Sequence, residues 1–191
     1  MVTVLLAAGL SQRMHKPKLL LPLGGKPLFM WALEAALEAS EEVILVLGNQ
    51  ANAMIPFLPS DPNLMLIHNM HPYKGQFSST QLGLTAVNNG SDFALAVADA
   101  PLITKHHYDT LAAHLGSFEA VRPHYSGTPG HPVLCKAHLK PLILELDETA
   151  TMRSFLSYRK VLNLQDHDLA WITDVDTTDQ YEQLLSSFAA Q

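Results

Sequence analysis

Apolar positions along the chain follow two rhythms, and each rhythm predicts a different kind of element. Short aliphatic runs lack the every-second-residue alternation of a half-exposed strand, so they are typical of strands buried on both faces of a sheet. These runs cover residues 2–6, 43–47, 64–67, 93–98, 120–122 and 161–164.

Between the runs, apolar residues recur at spacings of three, four and seven positions, which places them on one face of a helix. The four segments with this spacing begin at Leu28, Tyr108, Leu139 and Tyr181. Thr177 and Gln180 have the spacing of a capping box before the last segment. Because strands and helices alternate, we expect an α/β layered fold with a mostly parallel sheet.

Residues 119–135 break this alternation. They contain two extended segments joined by a Gly/Pro-rich turn at 126–130, which favours antiparallel pairing and therefore a mixed sheet. No Ser/Pro-rich linker, internal repeat or long charge block divides the 191 residues. Residues 1–191 are therefore predicted to form a single domain.

Composition and charge narrow the class of protein. The chain is 48% hydrophobic and 16% charged with a net charge of −6, which argues against disorder and against broad binding to nucleic acid or an anionic membrane. A single cysteine, Cys135, excludes an intrachain disulfide and is expected to be a buried packing residue. No apolar run reaches the roughly 18 residues of a membrane span, and no basic region precedes the first apolar stretch. We therefore expect a cytoplasmic protein.

The segment after the first run has the residue types of a phosphate-binding loop. Ala7, Ala8 and Gly9 are small enough for backbone N–H groups to approach a ligand closely. Arg13 and Lys18 add positive charge, Arg as a bidentate donor and Lys as a mobile point charge. Neither a Walker loop nor a G-x-G-x-x-G fingerprint is present. The alternative is a small-residue turn between strand and helix with two solvated cations.

Acidic side chains follow two apolar segments. Asp99 comes directly after the run at 93–98, and Asp174 and Asp176 precede the last helical segment. Mg²⁺ is often held by one or two carboxylates together with substrate phosphates, so Asp99 and Asp176 fit that need if the fold brings them together. Asp174 is either a further ligand or a supporting residue. The alternative is that Asp99 caps a turn and Asp174 caps the entry loop of the last helix.

Several motifs together resemble one enzyme family. The residues LAAGLSQRM, followed by Lys18 and LLLPLGGKPL, are similar to the opening of nucleotidyltransferases related to molybdenum cofactor cytidylyltransferase and guanylyltransferase. His15 stands where that family usually has Gly. The resemblance continues through Asn69, GQFSS at 75–79, ADAPL at 98–102, GHPVL at 130–134, TMR at 151–153 and DVDT at 174–177. It therefore spans nearly the whole chain, and the cytidylyltransferase branch is the more similar one.

The resemblance implies a fold, a chemistry and a set of site residues. The fold is a Rossmann-like three-layer α/β fold with a mostly parallel mixed sheet, and the chemistry is Mg²⁺-dependent. Lys18, Arg13 and Asp99 are the implied catalytic residues, and Asp99 and Asp176 the implied Mg²⁺ ligands. The implied nucleotide-binding residues are Leu6, Ala7, Ala8, Gly9, Ser11, Arg13, Lys18, Asn69 and Ser79, and the implied acceptor-binding residues are Ser78, His131 and Arg153.

Several of these residues have an ordinary structural alternative. Ser78 and Ser79 are also suited to capping the helix that follows them, and Asn69 to satisfying loop backbone. His131 either contacts the acceptor or braces the hairpin, and Arg153 either binds the acceptor phosphate or lies on a surface helix. The remaining histidines lack the spacing of a metal site.

The resemblance implies transfer of CMP from CTP to molybdenum-bound molybdopterin, with release of pyrophosphate. CTP is favoured over GTP because the guanylyl branch tends to have Gly where this chain has Ala8. CTP, the molybdopterin cofactor and a recipient molybdoenzyme are then the expected partners, with no nucleic acid and no membrane. The alternatives are a GTP-dependent or sugar-phosphate nucleotidyltransferase, or a carrier of the molybdenum cofactor that does no transfer.

Overall fold

The computed structural model describes residues 1–9, 14, 16–147 and 149–189. The strands within these residues are β1 (Val2–Ala7), β2 (Pro22–Leu23), β3 (Lys26–Pro27), β4 (Glu42–Leu47), β5 (Leu64–His68), β6 (Phe93–Val97), β7 (Ala120–Tyr125), β8 (Thr128–Pro129), β9 (Val133–Cys135) and β10 (Val161–Gln165). The helices are α1 (Leu28–Ala39), α2 (Ala51–Met54), α3 (Gln76–Ala86), α4 (Lys105–Leu115), α5 (Leu139–Leu144), α6 (Met152–Leu156) and α7 (Thr178–Ala189). Short 3₁₀ turns lie at Lys18–Leu20, Ile55–Phe57, Pro72–Lys74 and Leu169–Ile172.

The main sheet has the order β10-β7-β9-β6-β1-β4-β5, with β8 paired to β7. β5, β4, β1 and β6 run parallel to one another, and their order is that of four adjacent strands of a Rossmann sheet. β9 is antiparallel to both β6 and β7, whereas β10 is parallel to β7. The predicted mixed sheet and its antiparallel segment at 119–135 are confirmed.

Helices cover both faces of this sheet. α1, α4 and α7 pack against one face, around Phe29, Tyr108 and Leu184, whereas α3, α5 and α6 pack against the other. Successive residues of β1 pack into opposite cores: Leu5 packs into the core under α1, and Val4 packs into the core under α3. The arrangement confirms the predicted three-layer α/β fold.

The prediction that every aliphatic run is buried on both faces is wrong for two strands. β1, β4 and β6 are almost wholly buried, but every residue of β5 and β10 is half-buried or exposed. Both lie at the ends of the strand order, where a strand has one neighbour and incomplete cover. An aliphatic run therefore marks a strand but does not tell an inner strand from an edge strand.

One glycine allows α3 to lie close to the sheet. A Cβ on Gly83 would sit 2.4 Å from Val4 Cγ1 and 2.9 Å from Val46 Cγ2, closer than packed carbons allow. The missing side chain thus sets the distance between α3 and strands β1 and β4. None of the helices among the described residues is long and apolar enough to cross a membrane.

Candidate active site

Lys18 joins two carboxylates that lie far apart in the sequence. Its Nζ donates to Asp99 Oδ2 at 2.6 Å and to Asp176 Oδ1 at 2.7 Å. Only 9% of the Lys18 side chain is exposed, against 21% for Asp99 and 28% for Asp176. Because the cluster is mostly shielded from water, these ion pairs are stronger than pairs on an open surface.

Two backbone features bring Asp99 and Asp176 together. Asp99 follows β6, whose ladder with β1 continues through the Ala98 N–H donating to the Leu6 carbonyl at 3.0 Å. The Val175 N–H donates to the Asp99 carbonyl at 3.0 Å, which places the segment before α7 beside the end of β6. Sheet pairing and this single contact therefore bring Asp176 to Asp99.

The start of α7 fixes the Asp176 backbone. The Gln180 Oε1 accepts from the N–H groups of Asp176 and Thr177, both at 2.8 Å, and the Gln180 N–H donates to Thr177 Oγ1 at 3.3 Å. The predicted capping box of Thr177 and Gln180 is confirmed. Thr177 therefore provides the side-chain cap at the start of this helix.

The charges of this cluster shift two pKa values. Burial by itself disfavours the Lys18 ammonium, but the charge of Asp99 and hydrogen bonds to Asp176 and Asp99 outweigh it and raise the pKa of Lys18. Burial, together with the negative charges of Asp99 and Asp176, raises the pKa of Asp174. Lys18 is thus a permanent cation, and Asp174 is the third acidic group around it.

The donor set fits a divalent cation that completes its coordination with substrate. Within the described ranges, no group of three His, Cys, Asp or Glu side chains is arranged to hold a metal. Asp99 and Asp176 nevertheless converge on one cationic atom, the Lys18 Nζ. Two carboxylates with substrate phosphates are a common Mg²⁺ ligand set, because this ion keeps several positions for water or phosphate oxygens.

A cavity of about 570 Å³ opens over this cluster. Lys18, Asp99 and Asp176 form its charged wall, and Tyr73 and Gln76 lie among its other lining residues. Of the residues predicted to bind nucleotide, Leu6, Ala8, Gly9, Lys18 and Ser79 line it. Ser11 and Arg13, also predicted there, lie outside the described residues. We call this space the nucleotide cavity.

Two residues predicted to bind nucleotide lie beside this cavity. The Ala7 side chain is buried in the core on the α1 face. Asn69 is 5% exposed, and its Nδ2 donates to Ser79 Oγ at 2.9 Å while its Oδ1 accepts from the His71 N–H at 2.8 Å. Asn69 therefore supports Ser79 and the loop backbone.

The serines at the start of α3 do not cap it. Gly75 is the residue before the helix, with φ 93°, and no side chain caps the first turn. Ser78 Oγ instead donates back to the Gly75 carbonyl at 2.8 Å and accepts from Asn69 Nδ2 at 3.3 Å. Because Gly75 takes a positive φ, the helix begins before the serines, and the alternative in which one of them caps the helix is wrong.

A second cavity of about 470 Å³ adjoins the first, and Leu6, Gly75, Gln76 and Val97 line both. His131 and Arg153, two of the predicted acceptor-binding residues, line this second space, which we call the acceptor cavity. Ser78, the third, lines neither cavity. Lys74 and Arg122 also line the acceptor cavity, and the sequence did not predict a role for either residue. The available signal for Arg122 was a charged residue at the end of an aliphatic run.

The backbone of His131 has the bracing role that its sequence left open, and contact of His131 with the acceptor stays a prediction. Its N–H donates to the Trp171 carbonyl at 2.9 Å, and a Cβ on Gly130 would sit 2.1 Å from that carbonyl oxygen, so this segment is packed tightly against its neighbour. His131 also lines the acceptor cavity. Burial lowers the pKa of His131 despite attraction from Asp99 and a hydrogen bond to the Leu95 backbone, so the ring is neutral near pH 7.

Cys135 is confirmed as a packing residue. It is buried on β9, and burial raises the pKa of its thiol to about 12. The thiol is therefore neutral and unreactive at physiological pH.

The fold and these cavities define a class of protein. Parallel strands end at a turn of small residues, and a buried lysine and two carboxylates line the cavity beyond them, which suits a nucleotide in an open α/β sheet. A family model for the MobA-like NTP transferase domain matches residues 3–168. The chain belongs to this family of nucleotidyltransferases.

Individual relatives cover nearly the whole chain. The molybdenum cofactor cytidylyltransferase of Escherichia coli K12 is 26% identical over 178 residues, which are 93% of this chain and 92% of that protein. A Mycobacterium sp. strain JC1 homologue of Rv0371c has a structure that superposes with a TM-score of 0.82, at 27% identity over 99% of this chain and 96% of that one. The Mycobacterium tuberculosis Rv0371c complex with manganese superposes with a TM-score of 0.80, at 23% identity over 97% and 98%.

Proposed function

We propose that this protein transfers CMP from CTP to the phosphate of molybdenum-bound molybdopterin and releases pyrophosphate. The observation that supports it most is the Lys18–Asp99–Asp176 cluster, which lines one of two adjoining cavities. A transfer between two substrates needs two adjacent binding spaces with charge stabilisation where they meet. The full-length similarity to the Escherichia coli cytidylyltransferase supports the choice of substrates.

The reaction requires no nucleophilic side chain. An acceptor phosphate oxygen attacks the α-phosphorus of CTP, the bond between the α-phosphorus and its bridging oxygen to the β-phosphorus breaks, and that oxygen leaves on pyrophosphate. The contribution of the protein is to place the two phosphates in line and to neutralise charge. Lys18 is positioned to do the latter, because its Nζ already binds two anionic oxygens in the nucleotide cavity.

Asp99 and Asp176 are the proposed ligands of the divalent cation. When bound, Mg²⁺ supplies a Lewis acid that offsets negative charge on the phosphates. The manganese complex of the Mycobacterium tuberculosis relative supports a divalent cation on this fold. Lys18 Nζ donates to both carboxylates in this structure. If the carboxylates bind a cation instead, the ammonium is released to donate to phosphate oxygens of the nucleotide.

The preference for CTP rests on Ala8. This residue is 6% exposed and lines the nucleotide cavity, and its backbone lies against Gly48, where a Cβ would be 2.8 Å from Ala8 Cα. The loop therefore has little room to move away from a larger base. One methyl group in a recognition pocket commonly changes specificity by roughly 10–200-fold.

A matrix of nucleotides against acceptors tests the proposal. Each α-labelled nucleoside triphosphate is incubated with Mg²⁺ and either molybdenum-loaded molybdopterin or a sugar 1-phosphate, and label transfer and pyrophosphate are measured. We expect the highest kcat/KM with CTP and the pterin. A higher kcat/KM with GTP or with the sugar phosphate would replace the assignment, and tight pterin binding without any transfer would indicate a carrier.

A matched pair of lysine variants shows whether turnover belongs to this site. Lys18→Met should lower the rate of transfer by about 100-fold or more, because it removes the cation from the nucleotide cavity. Lys16→Met changes an exposed lysine two residues away and should leave transfer at the wild-type rate.

A further inference from the structure

We propose that Arg122 and Arg153 form a second anion site in the acceptor cavity, for an acceptor that carries negative charge at the end remote from its reacting phosphate. This inference rests on the proposed function for the identity of the acceptor. It adds a specificity-determining residue, Arg122, and a chemical requirement on the substrate.

The two arginines reach the cavity from different parts of the fold. Arg122 lies on β7 and Arg153 on α6, and both line the acceptor cavity. Asn163 Oδ1 accepts from Arg122 Nη2 at 2.9 Å and from Nε at 3.3 Å. This neighbour on β10 holds the guanidinium in place, uses two of its five N–H groups and neutralises none of its charge.

The positive charge of this pair has no internal counterion in the part of the chain described. Neither guanidinium forms an ion pair with a carboxylate there. Burial and the charge of Arg153 both lower the pKa of Arg122, so the two cations are close enough to repel each other. An anion between them would relieve that repulsion and accept hydrogen bonds from two forked donors.

The position of the pair separates it from the reaction centre. Lys18, Asp99 and Asp176 line only the nucleotide cavity, whereas Arg122 and Arg153 line only the acceptor cavity. The reacting phosphate of the acceptor must lie near the wall that the two cavities share. The arginine pair therefore receives another group of the acceptor, such as an oxyanion or the anionic metal–dithiolate end of a pterin.

The test compares Arg122→Gln and Arg153→Gln with wild type, and Arg159→Gln is the matched control. Arg159 is a neighbouring arginine whose guanidinium stacks 4.8 Å from the Phe155 ring and does not line the cavity. Molybdate binding is titrated calorimetrically on the whole protein with CTP present to fill the nucleotide cavity. We expect both cavity variants to weaken molybdate binding about tenfold or more, with Arg159→Gln equal to wild type.

Kinetics then separate the two anions of the acceptor. The kcat/KM for the molybdenum-loaded pterin is divided by that for a short phosphate monoester, which carries only the reacting phosphate. This ratio should fall tenfold or more in each cavity variant, with the KM for CTP unaffected. Equal losses for both acceptors would overturn the proposal, because the pair would then bind the reacting phosphate of the acceptor.

Failure of this inference can be distinguished from failure of the proposed function. If wild type binds molybdate through the two arginines but does not use the pterin, the anion site stands and the acceptor assignment fails. If wild type uses the pterin while molybdate binding and the ratio are the same in all variants, the acceptor stands and the anion site fails.

Discussion

Lys18 separates two carboxylates that would otherwise repel each other, and its charge also faces the nucleotide cavity. We expect Lys18→Ala to lower kcat by about 100-fold or more. This is the usual cost of removing a preorganised donor that stabilises charge in the transition state. The measurement is steady-state turnover at saturating CTP, with circular dichroism to verify folding. Turnover near the wild-type rate in folded protein would remove Lys18 from this role.

Asp99 and Asp176 should behave as one unit, because both bind the same ammonium and are the proposed ligands of the same cation. Asp99→Asn and Asp176→Asn should each reduce activity and Mg²⁺ affinity by about tenfold or more, and the double variant should lose less than the sum of the two free-energy changes. The affinity of the site for a divalent cation is measured with Mn²⁺ as a substitute for Mg²⁺, by electron paramagnetic resonance.

The control for this pair is Asp109→Asn on α4, an exposed carboxylate whose partner is Lys105. It should leave Mn²⁺ affinity unchanged. Strictly additive losses in the double variant would show that Asp99 and Asp176 act independently.

At the scale of elements, the distance between α3 and the sheet depends on Gly83. Gly83→Ala places a Cβ 2.4 Å from Val4 Cγ1, so the helix has to move outward. We expect a loss of about 1–3 kcal/mol in the free energy of unfolding, the usual cost of overpacking a core. Urea denaturation measures it, and Thr85→Ala, an exposed change on the same helix, should lose much less.

Because Ser79 and Gln76 lie on α3 and line the nucleotide cavity, an outward shift of the helix should also raise the KM for CTP. A Gly83→Ala protein as stable as wild type would show that α3 is free to adjust its distance from β1.

Glu119 connects three strands near the other end of the sheet. Its Oε2 accepts from the Lys160 N–H at 2.7 Å, its Oε1 pairs with His138 Nε2 at 3.2 Å, and its carbonyl accepts from the Lys136 N–H at 2.8 Å. The Lys160 backbone, followed by the His138 side chain, lowers the pKa of the Glu119 carboxyl. The folded state therefore favours the ionised form.

The sign of the resulting pH dependence follows from that lowered pKa. The charge of Glu119 stabilises the fold above the ordinary Glu pKa of about 4.3, and this stabilisation is lost as the pH falls through the lowered folded pKa. Glu119→Gln keeps an acceptor but lacks the charge, so it should unfold at lower urea than wild type at pH 7. This difference in urea midpoint between Glu119→Gln and wild type should disappear at acid pH. The control is Glu38→Gln, an exposed change on α1, which should unfold at the same urea concentration as wild type. A difference that is the same at both pH values would assign the effect to packing.

At the scale of the whole molecule, ligands that bind only the folded state stabilise it. CTP with Mg²⁺ at about 100 times its Kd should add about 2.7 kcal/mol. For a chain of this length that corresponds to a Tm rise of roughly 5–10 °C, since 1 kcal/mol shifts Tm by about 2–4 °C. Thermal shift assays with CTP and GTP at equal concentrations check it. A larger shift with GTP would contradict the proposed nucleotide preference.

Local sequence was sufficient to predict the layered fold and most elements. The apolar spacing that begins at Leu28 and Tyr108 corresponds to α1 and α4, because residues three and four positions apart lie on the same face of a helix. The Gly/Pro-rich turn at 126–130 predicted antiparallel pairing for the same reason, since turn residues act over a few positions. The small residues before Lys18 and the acidic turn at Asp99 were also evident, because both follow strands directly.

Contacts between distant segments were decided only by the tertiary structure. Lys18 and Asp176 are 158 residues apart, and no local pattern states that one ammonium binds both carboxylates. The exposure of β5 and β10 also depends on tertiary structure, because strand order places them at the ends of the sheet. The hydrogen bond from Asn69 to Ser79 likewise joins residues on either side of a loop. Arg122 ended an aliphatic run in the sequence, and only the packing of β7, β10 and α6 brings it to a cavity with Arg153. Spacing along a chain specifies which faces are apolar, but which faces meet is set by long-range packing that balances burial against chain entropy.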